Sequence, residues 1–301
     1  MSTIPLLPGE VFNEYLAPWT SWHIGGAAER FFSPSSAELL ADYLSLLPPT
    51  LPVTWLGLGS NVLIRDGGIQ GAVIGTRQMQ RLYQREDGAV VAEAGVTCAK
   101  FARYCSRLGF PDAAFFAGIP GTIGGALAMN AGAFGGETWE WVEEIRVMSR
   151  QGISQLLTPK DYDIGYRSVK PKLTTSLGNV FVEGVFRFKK QENSDGLGDI
   201  KALLRKRSDT QPIGTLNCGS VYRNPPGDFA ARLIEECQLK GYRVGDAMVS
   251  PKHANFIINC QKASAHDVEV LMATIESTVE EKFGIRLQTE VKILGRGDNN
   301  G

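Results

Sequence analysis

The chain has little of what builds metal centres and covalent staples. Its 301 residues include three histidines and five cysteines. The cysteines, at 98, 105, 218, 237 and 260, are odd in number and form no CxxC pair. A disulfide framework and a structural zinc site are therefore unsupported, and reduced thiols in a cytoplasmic protein are expected. His23, His253 and His266 are too scattered to make a metal cluster. Charge of one sign is missing too: 31 basic residues face 32 acidic ones, for a net charge of −1, so no global field draws in nucleic acid. The one basic run, Lys201–Arg207, has helical spacing and reads as a solvated face. No window approaches the roughly 18 consecutive apolar residues that span a bilayer. The opening MSTIPLLPGEVFNEY lacks the basic start and long apolar run of a secretion signal. Internal repeats and low-complexity tracts are absent. A hydrophobic content of 43% is ample for packed cores, and 21% charged residues excludes a disordered chain.

The usual nucleotide loops are missing as well. Gly57-x-Gly59 has no third glycine and no helix signal directly after it, and no glycine loop ends in GK[ST], which disfavours Rossmann and Walker sites.

What is present is an alternation of helix and strand signals. Residues 35–47 begin with serines able to cap and stop before Pro48-Pro49. VTWL and GAVIGT read as short buried strands around the turn composition RDGG, and AVVAEAGV as another. A helix follows with Thr97 as N-cap, an apolar face at 101, 104, 105 and 108, and Gly109 as its stop. IRVMSR and ISQLLT flank Gln151-Gly152 and predict a hairpin. Residues 179–190 read as a strand and 191–199 as a polar linker or surface loop. Two long helices are expected at 228–241 and 264–284, the second with a Ser264/Asp267 arrangement like a capping box, and both ending at glycine. ANFIINC and the final RLQTEVKILG are strand-like, and the tail RGDNNG is expected to be disordered.

Two small-residue stretches stand out. GLGSN (57–61) follows an apolar strand, and GIPGTIGGALAMNAGAFGG (118–136) is rich in glycine and alanine and carries no charge. Bare backbone of this kind lets a ligand approach closely, and its N–H groups, with Ser60, Asn61 and Asn130 nearby, would suit a pyrophosphate held by hydrogen bonds. Tight turns between strands are the competing reading. The residues alone thus suggest an α+β chain with two ligand-gripping portions and a C-terminal α/β piece.

Eight motifs occur in order: TSWHIGGAAE (20–29), GLGSNVLIRDGG (57–68), EAGV (93–96), AGIPGTIGGALAMNAGAFG (117–135), GYRS (165–168), NCGSVYRNP (217–225), VSPKHANFIIN (249–259) and QTEVKILG (288–295). Together, over about residues 20 to 295, they resemble the UDP-N-acetylenolpyruvoylglucosamine reductases, also called UDP-N-acetylmuramate dehydrogenases. Only 52 residues separate Arg167 from Ser220, which resembles the shorter form of the family, without an inserted tyrosine-bearing loop.

The resemblance implies an α+β fold of the vanillyl-alcohol-oxidase/p-cresol-methylhydroxylase type. Its two FAD-binding subdomains would fall at 1–78 and 79–200, the latter joined by a terminal strand at 287–297, with a substrate domain at 201–286. It implies non-covalent FAD, NADPH as reductant, and a cytoplasmic, monomeric enzyme of peptidoglycan precursor synthesis whose partner is a nucleotide-sugar substrate, with no nucleic acid and no membrane. Reduction of an enol ether beside a carboxylate needs a hydride at one carbon and a proton at the other, in a site that stabilises the charge formed between the two events. By the resemblance, hydride comes from flavin N5, the proton from Ser220, and Arg167 and Glu290 stabilise the carboxylate end. Cofactor contacts map onto Gly57, Gly59, Ser60, Asn61, Gly118, Pro120, Gly121, Thr122, Gly124, Gly125, Asn130 and Ala131. Substrate contacts map onto Tyr166, Arg223, Asn224, Lys252, His253 and Asn255. His23, where many relatives have a basic or neutral residue, and Cys218, where alanine is common, depart from the family pattern.

Each residue has a plainer reading taken alone. Ser220 could be a turn residue, Glu290 an outward glutamate on an alternating strand, Arg167 a surface ion-pair member and His253 a structural hydrogen bonder. Another FAD oxidase or dehydrogenase, and a flavin or UDP-sugar binding protein without turnover, are the alternatives at the level of function.

Overall fold

The computed structural model describes residues 7–173, 180–191 and 195–297. Mixed helices and strands form two units interleaved along the chain. The first comprises Met1–Val11, Phe31–Leu58 and Val73–Lys206, and the second Phe12–Arg30, Gly59–Ala72 and Arg207–Gly301. A four-stranded sheet has the order Glu10–Tyr15, Ala27–Phe32, Ile69–Gly75, Val53–Leu56.

In the first unit, helix α1 (Ala37–Leu46) is N-capped by Ser36, whose side chain accepts from the Leu39 N–H, and it stops short of the proline pair. An antiparallel five-stranded sheet runs 154–157, 142–148, 180–186, 90–93, 82–84. Its first two strands are the hairpin expected across Gln151-Gly152. Helix α2 (Cys98–Arg107) carries the Thr97 cap and closes at Gly109, whose φ is +84°. Its apolar face seats Phe101 against Phe116 and Phe186, with ring centroids 4.9 and 4.7 Å apart. Burying such rings is a large share of what holds a core of this size. Helix α3 (Ile123–Met129) lies in the glycine-rich run. Helix α4 (Gly196–Thr210) begins inside the stretch read as a linker, where Asp195 accepts from the Gly198 N–H and starts the helix. That reading is corrected for 196–199, and its residues 192–194 lie outside the described ones.

In the second unit, helix α5 (Ala230–Glu236) is much shorter than the helix expected over 228–241. Gln238 adopts a left-handed φ of +58°, and the Leu239 N–H returns to the Ile234 carbonyl, a closure that ends the helix well before Gly241. Helix α6 (Ala265–Phe283) has the expected limits, with a complete Ser264/Asp267 capping box and a left-handed Gly284. Val268, Leu271, Ile275 and Val279 line its buried face, packed with Trp22, Tyr222 and Leu233. The RDGG turn serves this helix: Asp66 accepts from the N–H groups of Ala265 and His266, and Arg65 pairs with Glu269.

The last described strand, Lys292–Leu294, pairs in parallel with Val62–Ile64. Both belong to the second unit, so the terminal strand does not join a sheet of residues 79–200, as expected above. A strand's partner is set by long-range burial, which local pattern does not encode. The disordered-tail expectation for 298–301 lies outside the described residues. Among the described residues no helix is long and apolar enough to cross a membrane, and no cluster of histidine, cysteine, aspartate and glutamate could hold a metal ion.

Candidate active site

The first unit supplies the glycine-rich run and the Tyr166-Arg167 turn. Thr122 caps α3, its Oγ1 accepting from the Gly125 N–H. The amides once expected to face a pyrophosphate are used inside the protein: Gly121 donates to Ile119, Ile123 to Val96 and Gly124 to Ala94. Several glycines make room for protein atoms instead. A Cβ on Gly118 would lie 2.4 Å from the Phe134 ring, on Gly124 2.8 Å from the Ala94 Cβ, and on Gly57 2.8 Å from Thr122 Oγ1. Along α3 and just before it, the run presents outward a strip without bulk, Pro120, Gly125 and Ala128, all exposed, and beyond it the exposed Phe134 ring. A Cβ on Gly125 would meet only Thr122 Oγ1, at 3.8 Å. This surface fits a flat ring system by contact more than an anion by amide donation.

Asn130 sits buried at the end of α3 with φ +43°. Its amide nitrogen donates to Glu137 Oε2 (2.8 Å) and to the Gly165 carbonyl (3.3 Å), and its oxygen accepts from the Trp139 N–H. The side chain is thus committed to the fold, tying the glycine-rich run to the residue before Tyr166. Ala131 accepts from Thr138 Oγ1 beside it. Arg167 occupies the turn between strands Tyr162–Gly165 and Ser168–Pro171 with a left-handed φ of +52°. Its guanidinium lies 5.3 Å from the centroid of the exposed Tyr166 ring and reaches the Gly132 carbonyl. Sequence reasoning missed Arg77, whose Nε and Nη2 donate to the carbonyls of Gly57 and Leu58. The partners are 20 and 19 positions apart in sequence, and no local signal links them. Burial lowers the pKa of this guanidinium.

The second unit carries Ser220, Glu290 and Asn61, and joins the last two directly. Gly59 has φ +68°, and a Cβ there would lie 2.1 Å from the Trp19 carbonyl oxygen, so the close packing of TSWH on GSN requires glycine. Ser60 leads into Asn61, whose amide donates to the Glu290 carbonyl (3.2 Å) and whose carbonyl accepts from the Lys292 N–H. Glu290 is half-buried and outside the terminal strand; an isolated bridge joins its neighbour Thr289 to Tyr222. Before Ser220, Asn217 Oδ1 accepts from the Gly219 N–H, and Gly219, with φ +74°, has open space where a Cβ would stand. The buried Cys218 thiol donates to the Val62 carbonyl, and burial pushes its pKa up to about 12, so it is an inert packing group.

The substrate-side candidates divide. Arg223 hydrogen-bonds through its main chain to Gln288, while its Nε is a buried donor without a partner. Asn224 accepts from the Ala230 N–H and caps α5. Lys252 Nζ donates to the Ser208 carbonyl in the last turn of α4. His253 Nδ1 accepts from the Asn255 N–H, which marks a neutral ring, and burial lowers its pKa. Asn255 is buried, and both ends of its amide bond the main chain of Tyr222 (Oδ1 from N–H, 2.9 Å; Nδ2 to carbonyl, 2.8 Å).

Comparison with known proteins is consistent across the chain. Residues 28–155 match the FAD binding domain family, and 211–294 match the family described as UDP-N-acetylenolpyruvoylglucosamine reductase, C-terminal domain. The UDP-N-acetylenolpyruvoylglucosamine reductase of Coxiella burnetii is 49% identical over 96% of this chain and 97% of its own length. That of Methylococcus capsulatus is 49% identical over 94% and 92%. The crystal structure of the enzyme from Thermus caldophilus superposes with a TM-score of 0.79 at 29% identity, covering 95% of this chain and 98% of that one. With an FAD-binding domain followed by that C-terminal domain, the chain belongs to the UDP-N-acetylenolpyruvoylglucosamine reductase family of oxidoreductases.

Proposed function

We propose that the protein reduces the enolpyruvyl ether of UDP-N-acetylglucosamine to the lactyl ether, UDP-N-acetylmuramate, in cytoplasmic peptidoglycan precursor synthesis, with NADPH as reductant. Bound FAD supplies the hydride. Gly57, Gly59, Ser60, Asn61 and the bare strip of Pro120 and Gly125 are the surfaces that would hold it. Once the terminal enol carbon has received hydride, negative charge develops at the carbon next to the carboxylate. Ser220 donates its hydroxyl proton there, Arg167 binds the carboxylate over which the charge spreads, and Glu290 is the further side chain assigned to that end of the substrate. Arg223, partly exposed as a whole, is the cation assigned to the nucleotide diphosphate. Tyr166 presents an exposed ring on the same turn as Arg167.

The observation that supports this reading is the lateral bonding of two motif segments: Glu290 N–H to the Val221 carbonyl and Arg223 N–H to the Gln288 carbonyl, which runs the segment after Ser220 alongside the one that carries Glu290. The test is anaerobic absorbance of the purified protein, adding NADPH and then UDP-N-acetylglucosamine enolpyruvate. Bleaching of the flavin band by NADPH and its return with that substrate is the expected result. A protein that bleaches and stays bleached overturns the substrate, and one that takes up no FAD overturns the reading entirely.

A further inference from the structure

The Asn255 side chain is spent on the Tyr222 main chain, and its own carbonyl accepts from the Val221 N–H at 2.9 Å. One asparagine therefore holds three of the four main-chain polar groups of the two residues that follow Ser220. The fourth, the Val221 carbonyl, accepts from the Glu290 N–H at 2.8 Å. Tyr222 is fixed again at its far end, where its hydroxyl donates to the Met272 carbonyl in α6. On the other side Ser250, fully buried, organises the loop that carries Asn255 by accepting from the N–H groups of Lys252 and His253. A 4% exposed amide with both ends engaged has little left to offer a ligand.

We propose that Asn255 is a positioning residue for proton delivery: it holds the Val221-Tyr222 main chain so that the Ser220 hydroxyl and Glu290 keep a fixed separation, and it does not bind the nucleotide sugar. This rests on the reading of Ser220 as the proton donor. Proton transfer is sensitive to sub-ångström placement, whereas substrate binding spreads over many contacts, so the two roles separate kinetically. Asn255→Asp keeps the shape and the acceptor for the Tyr222 N–H but loses the donor to the Tyr222 carbonyl when ionised. Protonation of the introduced carboxyl restores that donor.

The experiment is stopped-flow absorbance on FAD-loaded wild type, Asn255→Asp, Asn255→Ala and Ser220→Ala. Flavin bleaching by NADPH should be unchanged in all four. Flavin return with UDP-N-acetylglucosamine enolpyruvate should slow by about tenfold or more in both Asn255 variants. KM for that substrate should stay within about twofold of wild type. The deficit of Asn255→Asp should shrink as pH falls, and that of Asn255→Ala should not. A raised KM with unchanged kcat makes Asn255 a substrate ligand and overturns the proposal, as does a wild-type rate in both variants beside a slow Ser220→Ala. Full-rate flavin return in Ser220→Ala overturns the reading beneath it, and the proposal with it. Amide exchange in the wild-type protein gives a check that needs no variant to fold: slow exchange at Val221, Tyr222 and Glu290 is expected, and fast exchange at Val221 and Tyr222 overturns the clamp.

Discussion

The main-chain N–H of Glu290 donates to the Val221 carbonyl, so the glutamate is tied through backbone, not through a flexible side chain, to the residue after Ser220. Its carbonyl is held in turn by Asn61. A side chain carried on pinned backbone needs little reorganisation during the reaction.

Ser220→Ala and Glu290→Gln should both fold and retain FAD, because both changes are small and the neighbouring main chain is held by the bonds of Val221 and Tyr222 to Asn255. Flavin bleaching by NADPH should persist while the return with enolpyruvyl substrate slows by about a hundredfold or more for Ser220→Ala. A thermal melt beside the two half-reaction rates checks the pair.

Arg167 has a left-handed φ of +52°, a conformation that costs a non-glycine residue of order 1 kcal/mol. Arg167→Gly should therefore leave unfolding stability unchanged or higher by about that amount, while the substrate half-reaction falls by about a hundredfold. Denaturant unfolding set against stopped-flow rates tests this opposition of stability and activity.

Two glycines should respond in opposite ways. Gly59→Ala combines positive φ with a Cβ 2.1 Å from the Trp19 carbonyl oxygen, so soluble protein should be lost or strongly destabilised. Gly125 is exposed on α3 with room for a methyl group, and alanine there should stabilise the apoprotein by up to about 1 kcal/mol. If the bare strip receives the flavin, the same change should weaken FAD retention. Melting of the apoprotein and FAD titration measure the two effects separately.

His253 gives a pH signature. Burial, reinforced by Lys240, lowers its pKa from 6.5, and its Nδ1 accepts a hydrogen bond that the charged ring could not accept. The folded state binds this proton less readily than the unfolded chain. Its stability contribution is therefore fully present above 6.5 and declines as pH falls from there through the lowered folded value. His253→Gln should flatten that part of the stability profile, as followed by denaturant unfolding at a series of pH values.

The sequence by itself determined what depends on neighbours along the chain. The Ser36, Thr97 and Ser264/Asp267 caps, Gly109 and Gly284, and the hairpin across Gln151-Gly152 were legible because capping and turn chemistry act within a few residues. Ordered motifs were enough to point to the family. Tertiary structure alone decided where the long-range partners lie. It paired Lys292–Leu294 with Val62–Ile64, placed Arg77 on the Gly57 and Leu58 carbonyls, and ended α5 at Glu236. It also turned Asn130 and Asn255 inward, onto the Gly165 carbonyl and the Tyr222 main chain. An asparagine amide serves a ligand or a buried peptide group equally well. Which of the two it meets is fixed by segments far away in sequence, because a buried polar group left without a partner costs more than the fold can spare.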